Sequence, residues 1–462
     1  MTTTSPYSSR RALTSRALAT IAVCGALALG ACGAPGSGSS PHPKAKSPSS
    51  ISTNPAKAGK VTLSVWDQEV RGGQNAEITQ LNKEFSAKYP NVTIKRTSKS
   101  FSDLKTTLKL ALSGNNPPDV VEANEGYPDM VAFVKAGMLL PLDAYAQAYG
   151  WTKRYPASLL ALNKVSSDAS HFGEGKLYGL SQMGEYVGVY YNKTTLKQLG
   201  LTPPTTWSEL VADLSKIKAK GELPIQFGNL DKWPAIHTFG TIQAATAGKQ
   251  DVRNLVFGTG HAAWTSAPSV QAAKTLQEWA TKGYFPSGVN GVGYDDANKQ
   301  FAHGKGVFEI TGTWEAATLK GPMGSSLGLM PTPPGSKGLA STGGESLAFG
   351  VTSKSKTPDV AAAYIDFITN PHAADVMLRT GNLPAVPGQA ASSLSSASLE
   401  GQMVAGWQKI NSADGLVPYL DYSTPTFYDT ITAALQDLIG GKSTPRQFTE
   451  TLQADYSKFH QG

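Results

Sequence analysis

Residues that could catalyse a reaction or hold a metal are sparse in this chain of 462 residues. The seven histidines, at positions 42, 171, 237, 261, 303, 372 and 460, are too far apart to form the paired metal ligands of a zinc-hydrolase helix. Both cysteines lie within the first 32 residues, which excludes a thiolate metal site in the remainder. Neither a Walker A sequence nor a dinucleotide-binding glycine motif is present. We therefore expect no enzymatic activity, no metal and no cofactor.

Two short patterns resemble catalytic motifs, and each has a simpler interpretation. Residues 324–328 match G-x-S-x-G, but a nucleophile elbow needs a strand before it, whereas a Lys-Gly-Pro-Met sequence precedes this match. A plain Gly/Ser loop is the better interpretation. Asp295 and Asp296 could be the paired carboxylates of a glycoside hydrolase, which must be held at a defined separation. Because adjacent residues at a helix start point apart, a favourable interaction with the helix N-terminus explains them better.

Aromatic and polar side chains are more informative. The chain has 8 Trp and 17 Tyr residues, many of them in loops after predicted strands, where open α/β sheets bind ligands. Sugars present apolar C–H faces edged by hydroxyl groups, so they suit aromatic rings flanked by polar side chains. Trp314 leaves a predicted strand between glycine and polar residues and is the best candidate. Trp279 fits the apolar pattern of a helix core, and Trp207 a packing position at a helix start.

The distribution of charge argues against nucleic acid as a partner. The chain carries 41 Lys and Arg against 34 Asp and Glu, but seven of the basic residues lie in residues 1–60, which contain no acid. From residue 61 onward the chain is formally neutral and lacks the basic surface of a nucleic-acid-binding protein. Charged residues make up 16% of the chain, against about 25% in ordinary globular proteins. This composition favours a neutral polar ligand over phosphate or nucleotide.

The elements that must position these side chains alternate between strands and helices. Apolar periodicity predicts strands at 61–66, 92–94 and 119–121, and helices through 78–85, 104–112 and 130–134. This β-α-β-α-β order predicts a parallel or mixed sheet with helices on both faces. A second unit begins near residue 178, with strands at 186–191, 307–310 and 347–351. The capping box Thr206-Trp-Ser-Glu209 opens one helix, Thr357 caps another and Pro371 begins the next. The apolar residues of the last two helices are Ile431, Leu435 and Leu438, then Phe448 and Leu452.

The N-terminal residues predict export and a membrane anchor. Residues 1–32 combine basic residues, an apolar run and small residues, as an export signal does. The apolar run of about 13 residues is shorter than the roughly 20 needed to span a bilayer. Leu29-Gly-Ala-Cys32 is similar to a bacterial lipobox, so we expect an acylated Cys32 on the extracytoplasmic face of the cell membrane. The alternative is an ordinary signal peptide with an incidental Cys.

Two features of this region leave alternatives open. Ser9-Arg10-Arg11 is compatible with either general secretory or twin-arginine export. Residues 33–60 are rich in Ser, Pro, Gly, Ala and Lys, so they predict a disordered linker between the anchor and the body. Its lysines either contact anionic lipid headgroups or belong to a freely solvated tether.

Short motifs occur in a fixed order through the body. They are Asn116-Pro-Pro-Asp119, Ala136-Gly-Met-Leu-Leu-Pro-Leu-Asp143, Lys176-Leu-Tyr-Gly179, Tyr190-Tyr-Asn-Lys193, Pro204-Thr-Thr-Trp207, Gly304-Lys-Gly306 followed by Thr313-Trp314, and Gly381-Asn-Leu-Pro384. In this order and spacing they resemble family 1 extracellular solute-binding proteins of ABC importers, the maltose-binding-protein-like superfamily. The resemblance covers nearly all of residues 61–462.

The resemblance implies a fold, a function and partners. The fold would be α/β with two lobes, of the type II periplasmic-binding-protein kind, with a hinge that the chain crosses more than once. Lobe 1 would comprise 61–182 plus 341–385, and lobe 2 would comprise 183–340 plus 386–462. The protein would act as a monomer that binds an oligosaccharide of two or three sugars in the cleft between the lobes. It would deliver that sugar to the permease subunits of an ABC transporter in the membrane.

The resemblance also implies which residues contact the ligand. In lobe 1 they would be Asp67, Gln68, Glu69, Asn124 and Glu125, with Glu345 as a looser match. In lobe 2 they would be Glu185, Trp233, Trp314, and Phe427 or its neighbour Tyr428. Two alternatives stay open, a different polar solute such as glycerol phosphate and a surface glycoside hydrolase that uses Glu185 and Glu345. A phosphate ligand would require arginines at the cleft, and only Arg71 lies beside the candidate loops.

Overall fold

Strands and helices alternate through residues 47–460, the part of the chain that the computed structural model describes. The strands are β1 (Val61–Asp67), β2 (Val92–Ser98), β3 (Val120–Ala123), β4 (Lys164–Val165), β5 (Lys176–Leu177), β6 (Gly184–Asn192), β7 (Ile225–Gln226), β8 (Phe308–Gly312), β9 (Leu327–Pro331), β10 (Ser341–Glu345), β11 (Ala348–Val351) and β12 (Leu416–Val417). The helices are α1 (Gly72–Lys88), α2 (Phe101–Ser113), α3 (Ala132–Lys135), α4 (Asp143–Tyr149), α5 (Trp151–Arg154), α6 (Ala157–Leu162), α7 (Lys193–Gln198), α8 (Trp207–Ala219), α9 (Pro234–Ala247), α10 (Lys249–Phe257), α11 (Ala267–Thr281), α12 (Tyr294–Ala302), α13 (Ala316–Met323), α14 (Pro358–Ile368), α15 (Pro371–Arg379), α16 (Leu399–Ser412), α17 (Phe427–Ile439) and α18 (Pro445–His460).

The first sheet has the strand order β11-β3-β1-β2 and forms the centre of the first lobe. Strand β1 runs parallel to β2, with Val61 opposite Val92, and parallel to β3, with Val65 opposite Val120. Strand β11 joins the sheet antiparallel to β3. Since parallel neighbours need a long crossover, α1 and α2 connect these strands. The predicted β-α-β-α-β order is therefore confirmed.

The apolar positions that predicted α1 face the core of the first lobe. Ile78, Leu81 and Phe85 are fully buried, and the helix ends just before Pro90, which cannot continue it. The helix also includes Gly72 and Gly73, before the apolar positions that predicted it. Glycine is needed at position 73 because a Cβ atom there would lie 2.5 Å from the carbonyl oxygen of Thr380.

The second sheet has the order β12-β10-β6-β8-β7, with β9 also paired to β6, and forms the centre of the second lobe. Strand β6 is buried along its whole length and is antiparallel to β8, β9 and β10. Strand β7 is parallel to β8, and β12 is parallel to β10. This mixed pairing brings the end of β8 and the beginning of β6 to the same edge of the sheet.

The chain passes between the two sheets three times within the described residues, after β3, after β10 and after β11. These connecting segments are hydrogen-bonded side by side. The backbone N–H of Ser346 donates to Met183 at 3.0 Å, and that of Gly184 donates to Leu383 at 2.9 Å. Strand β10 belongs to the second sheet, so this passage between sheets falls at 346–347 rather than at residue 341. The predicted limits of the lobes otherwise stay a prediction.

Helix α8 shows how a local sequence signal specifies an element. The side chain of Thr206 accepts the backbone N–H of Glu209 at 3.2 Å, as a capping box predicts. The carboxylate of Glu209 reaches back to the backbone N–H of Thr205 at 2.7 Å, one residue before the cap. Trp207 stacks on Trp279 with ring centroids 5.7 Å apart, and Trp279 is 2% exposed. The interpretation of Trp279 as a core residue is confirmed.

The segment before β1 differs from the predicted linker. Residues 47–60 contain short 3-10 turns at Pro48–Ser50 and Pro55–Ala58. The side chain of Asn91 donates to the carbonyl oxygens of Pro55 and Gly59 at 2.9 and 2.7 Å. These residues therefore pack against the body instead of forming part of a disordered tether. The remainder of the predicted linker, the signal segment and Cys32 lie outside the described residues.

The two patterns that resemble catalytic motifs have structural explanations. Gly324–Ser326 is a 3-10 turn between α13 and β9, so the G-x-S-x-G match is not a strand-turn-helix elbow. Asp295 and Asp296 lie in the first turn of α12 with exposed side chains. Asp295 pairs with Arg71 at 3.3 Å and Asp296 with Lys299 at 3.5 Å. These aspartates do not form a shared catalytic pair.

Candidate functional site

A cleft with a volume of about 630 Å³ lies where strands of both sheets end. It is lined by Gln68, Arg71, Gln74, Phe101, Asn124, Glu185, Trp233, Ile236, His237, Trp314, Glu345, Leu347, Tyr419, Asp421, Tyr422 and Tyr428. Most of these residues follow the carboxyl ends of β1, β3, β7, β8 and β12. That edge is where open α/β sheets bind ligands.

The second lobe supplies an aromatic wall, which we define as Trp233, His237, Trp314 and Tyr419. The ring of His237 lies 5.2 Å from that of Trp314 and 5.1 Å from that of Tyr419. The rings of Trp233 and Trp314 are 6.4 Å apart and inclined at 60°. Such tilted packing is favourable for aromatic rings, so each ring restricts the orientation of the next.

The indole of Trp314 is fixed at two points. Its Nε1–H donates to the hydroxyl of Tyr294 at 2.6 Å, and that hydroxyl is 2.6 Å from the hydroxyl of Thr311. The indole also lies over Gly312, where a Cβ atom would approach it to 1.9 Å. Glycine before this turn is therefore a packing requirement. The side chain stays partly exposed to the cleft, with the rest of the turn buried beneath it.

The first lobe supplies a polar wall, which we define as Gln68 and Asn124, in the loops after β1 and β3. The backbone N–H of Gln68 donates to the carboxylate of Glu122 at 2.5 Å. The amide of Asn124 donates to Asp129 at 3.0 Å. Both loops are thus held by buried acidic side chains, while the side chains that line the cleft can exchange hydrogen bonds with a ligand.

Several contacts join the two lobes across the cleft. Arg71, at the start of α1, pairs with Glu315 at 2.8 Å and with Asp295 at 3.3 Å. Its guanidinium also lies 5.4 Å from the centre of the Tyr294 ring. On the other side, the hydroxyl of Tyr422 donates to Glu125 at 2.9 Å. Contacts of this kind hold the lobes together around the cleft.

The structure brings many of the predicted ligand residues together. The predicted residues that line the cleft are Gln68, Asn124, Glu185, Trp233, Trp314, Glu345 and Tyr428. Asp67, Glu69, Glu125 and Phe427 do not line it. Glu125 lies just behind the surface, under the hydroxyl of Tyr422. Their predicted contact with a ligand is therefore not direct in this arrangement.

Burial explains why Asp67, Glu69 and Phe427 point away from the cleft. Asp67 ends β1 and receives two hydrogen bonds, at 2.6 and 2.7 Å, from the guanidinium of Arg96. Glu69 is fully buried beside Glu122. Phe427 stacks on Trp264, with the ring centroids 5.1 Å apart, inside the core of the second lobe. Its neighbour Tyr428 is the one that faces the cleft.

A group of buried acids lies behind the polar wall. Asp67, Glu69, Glu77 and Glu122 are all fully buried, and Arg96 is the cation that contacts Asp67. Burial is the main cause that raises the pKa of Glu69 to about 7, with repulsion from Asp67 adding to it. Burial likewise raises the pKa values of Glu77 and Glu122 well above the ordinary range. The folded first lobe therefore favours the protonated forms of Glu69, Glu77 and Glu122.

Comparison with known proteins places the chain in a family. Residues 72–375 match the family model described as bacterial extracellular solute-binding protein. The chain belongs to this family. It is 25% identical over 323 residues to the multiple sugar-binding protein of Streptococcus mutans, a match that covers 69% of this chain and 73% of the relative. It is 26% identical over 335 residues to the maltodextrin-binding protein of Bacillus subtilis, covering 70% and 72%.

Solved structures confirm the predicted fold class of this solute-binding protein. A chitin oligosaccharide binding protein matches with a TM-score of 0.75 at 24% identity, covering 87% of this chain and all of that one. The two-lobed α/β architecture and the family are therefore as the sequence motifs predicted. Membership also gives the protein an extracytoplasmic location.

Several cleft residues of the solute-binding protein were not found from its sequence. His237 follows Trp233 by one helical turn, so the i, i+4 spacing was the available signal. Burial lowers the pKa of His237 to about 3, so its ring is neutral. Tyr419, Asp421 and Tyr422 follow β12, which has only two residues and is too short to read from sequence.

Metal-binding clusters and membrane-crossing helices are both absent from the part of the solute-binding protein that the structure describes. Between residues 47 and 460, no group of three or more His, Cys, Asp or Glu side chains is arranged to hold a metal ion. Over the same range, no helix has both the length and the apolar composition that a membrane crossing requires.

Proposed function

We propose that this solute-binding protein captures a di- or trisaccharide in its cleft and delivers it to the permease subunits of an ABC transporter. One observation carries the proposal, namely that an aromatic wall faces a polar wall across the cleft. Such a pair of walls suits the apolar face and the hydroxyl edge of a sugar ring. The names of the relatives from Streptococcus mutans and Bacillus subtilis, both of which refer to sugar binding, support it.

The ligand contacts that we propose follow from the cleft. A sugar face would lie on Trp314, with Trp233, His237 and Tyr419 completing the aromatic wall. The hydroxyl edge would meet Gln68 and Asn124 of the polar wall. Tyr428, Glu185 and Glu345 border the same volume. The lobes that carry these residues are proposed to close around the ligand as a monomer.

The charges in the cleft argue against a phosphate-bearing solute. Arg71 is the arginine that lines the cleft, and it is engaged by Glu315 and Asp295. Glu185 and Glu345 border the same volume and would repel a phosphate whenever they are ionised. A phosphate site ordinarily presents free arginines in a bidentate arrangement.

We also propose that the protein binds its ligand without altering it. A glycoside hydrolase needs one protonated and one ionised carboxyl at the scissile bond. Burial raises the pKa of Glu185 to about 8 and that of Glu345 well above the ordinary range. Because both would hold protons near neutral pH, neither offers the ionised partner. This supports a receptor rather than an enzyme.

A sugar panel with two readouts tests the proposed function. Each di- or trisaccharide is mixed with the protein, and both the melting temperature and the release of smaller sugars are measured. A ligand at a hundredfold excess over its Kd stabilises the folded state by about 2.7 kcal/mol. We expect a melting shift with at least one sugar and no breakdown. Breakdown of the sugar would contradict a receptor, and the absence of any shift across the panel would contradict sugar binding.

The membrane anchor is a second part of the proposal. We infer that an acyl group on Cys32 holds the protein on the extracytoplasmic face of the cell membrane. Cys32→Ser is expected to move the protein from the membrane fraction to the medium. The control is Cys24→Ser, at the other cysteine, which lies inside the apolar run and should leave the protein in the membrane fraction. Retention of the Cys32→Ser protein in the membrane fraction would place the anchor elsewhere.

A further inference from the structure

Two glutamates border the cleft and a third lies just behind its surface, each on a different element. Glu125 follows β3, Glu185 lies near the start of β6, and Glu345 ends β10. Their exposed fractions are 1%, 7% and 2%. Repulsion from Glu345 and Glu185 adds to the raised pKa of Glu125, and repulsion from Glu185 adds to that of Glu345. The three carboxyls therefore act on one another within a single region.

The hydrogen-bond partners of these glutamates are neutral. Tyr422 donates to Glu125 at 2.9 Å, Tyr419 donates to Glu185 at 3.3 Å, and Asn163 donates to Glu345. One oxygen of Glu125 (Oε1) and one of Glu345 (Oε2) are buried with no hydrogen-bond partner. Buried carboxyl oxygens of this kind are costly unless something else donates to them.

The cations near these glutamates form ion pairs with other acidic side chains. Arg71 pairs with Glu315 and Asp295, and Lys105 pairs with Asp129. Among residues 47–460, no Lys or Arg forms an ion pair with Glu125, Glu185 or Glu345. The other titratable groups that face them are Glu69, Arg71, Tyr155, His237, Tyr419, Asp421 and Tyr422. Of these, His237 is neutral, so Arg71 is the one positive charge in the group.

We propose that the ligand carries a protonated amine, as an amino sugar does, and that Glu185 and Glu345, with Glu125 behind them, receive it beside the aromatic wall. This inference rests on the proposed function and names the ligand class of that same cleft. An ammonium group can donate up to three charge-assisted hydrogen bonds, which are stronger than those of a hydroxyl. It is also attracted to the faces of Trp and Tyr rings, which the wall presents. A neutral sugar would leave the buried Oε1 of Glu125 and Oε2 of Glu345 without a charged donor.

Proton release distinguishes an amine from a neutral ligand. Burial is the main cause that raises the pKa of Glu185 to about 8, and burial raises those of Glu125 and Glu345 well above the ordinary range. The glutamates of the free protein therefore hold protons near neutral pH. An arriving ammonium lowers their pKa values, so protons leave the site on binding. Affinity for an amine should rise with pH through the pKa of Glu185 until the amine itself loses its proton.

The test uses sugars that differ only in the group at C2 of each ring, which is an amine, an N-acetyl group or a hydroxyl. Glucosamine and galactosamine, and the β-1,4-linked dimer and trimer of glucosamine, are each compared with the N-acetylated sugar and with the parent neutral sugar. Calorimetry at neutral pH in phosphate and in HEPES measures affinity and the number of protons released. We expect at least one amine to bind tenfold or more tightly than both matched sugars, with net proton release in both buffers.

The other outcomes overturn the inference in distinguishable ways. If a neutral or N-acetylated sugar binds as tightly as the amine, the cation assignment is wrong while the proposed sugar receptor stands. The cation assignment is also wrong if no amine binds at millimolar concentration but a neutral oligosaccharide does. If no carbohydrate of either class binds, both the inference and the proposed function fail.

Conservative variants test whether Glu185 receives the amine. Glu185→Gln keeps the size of the side chain and an acceptor for Tyr419, and it should reduce the ratio of amine to neutral-sugar affinity at least fivefold. The matched control is Glu309→Gln, because Glu309 is a buried glutamate on β8 that does not line the cleft. This control should keep the ratio of the unmodified protein. Equal ratios for both variants would show that Glu185 does not receive the amine.

Discussion

The two walls of the cleft are held in place by different means. On the second lobe, tilted aromatic rings pack on one another, and Trp314 is tied to Tyr294 by a hydrogen bond of 2.6 Å. On the first lobe, the loops of the polar wall are tied to buried carboxyls, with Gln68 bonded to Glu122 and Asn124 to Asp129. One wall depends on the packing of neutral rings and the other on acids whose protonation can change.

The difference indicates that the two walls contribute to ligand recognition in different ways. The aromatic wall offers a preformed face for a sugar ring, since each of its side chains is restricted by its neighbours. The polar wall offers hydrogen bonds whose strength follows the state of the acids behind it. We therefore expect changes in the aromatic wall to act on affinity at any pH, and changes behind the polar wall to act on stability in a manner that depends on pH.

The largest expected effect comes from the aromatic wall. Trp314→Ala should weaken sugar binding by about 2–4 kcal/mol, or roughly 30- to 1,000-fold in Kd, because it removes the main stacking face. The ligand-free protein should melt nearly as before, since Trp314 is partly exposed. Calorimetry and thermal melting measure the two quantities on the same preparation.

Trp279→Ala is the matched control for that prediction. Trp279 lies in the core and stacks on Trp207, so its removal should cost about 3–5 kcal/mol of folding stability. The affinity of the protein that remains folded should stay the same. If Trp314→Ala lowers stability instead and leaves Kd unchanged, the aromatic wall is not the sugar face.

A smaller effect, on folding stability, is expected from substitution of a buried acid behind the polar wall. The pKa of Glu69 is raised from 4.5 to about 7, so between these values the folded state holds a proton that the unfolded state has lost. Stability from this group is therefore complete below pH 4.5 and is lost as pH rises towards 7. Glu69→Gln removes the titration. When the pH is raised from acidic to mildly basic, the free energy of unfolding of the variant should therefore increase by about 1–3 kcal/mol relative to that of the unmodified protein.

Chemical denaturation at both ends of that pH range measures this gain. The control is Glu450→Gln, at a half-exposed position on α18 that pairs with Arg446. It should follow the unmodified protein at both pH values. Parallel pH profiles for Glu69→Gln and the unmodified protein would show that Glu69 does not hold a proton in the folded state.

The smallest effect is expected from a change in the contacts between the two lobes. Arg71 links the first lobe to Glu315 and Asp295 of the second, so Arg71→Met should favour separation of the lobes. We expect a weaker sugar affinity by about tenfold, or about 1.4 kcal/mol, and a larger radius of gyration of the ligand-free protein in small-angle scattering. Arg446→Met, which removes an exposed pair within α18, should change neither quantity. An unchanged radius for Arg71→Met would contradict a role in holding the lobes together.

Much of the fold was predictable because its signals are local. The spacing of Ile78, Leu81 and Phe85 specifies one face of α1, and the capping residues around Thr206 specify the start of α8. Trp314 was predictable as a cleft residue because it leaves a buried strand through a glycine. The resemblance to the family supplied the predicted division of the chain into segments of two lobes, which no local pattern contains.

Other cleft residues depend on contacts that are distant in sequence. Arg71 pairs with Glu315 of the other lobe, far away in the sequence, and Tyr419 follows a strand of two residues. The prediction of Asp67, Gln68 and Glu69 as one group overlooked the alternation of side chains in extended backbone. Gln68 faces the cleft, so its two neighbours face the buried side. Phe427 and Tyr428 separate for a different reason, because neighbouring side chains at the start of helix α17 point about 100° apart.

Capture of a sugar between the two walls is best tested by a crystal structure of the protein with the sugar that raises its melting temperature most. We expect one sugar ring to stack on Trp314, with hydroxyl or amine groups directed at Glu185 and at the polar wall of the first lobe. Both lobes should contact the same ligand molecule. A sugar bound outside this cleft, or in contact with one lobe only, would contradict capture between the two walls.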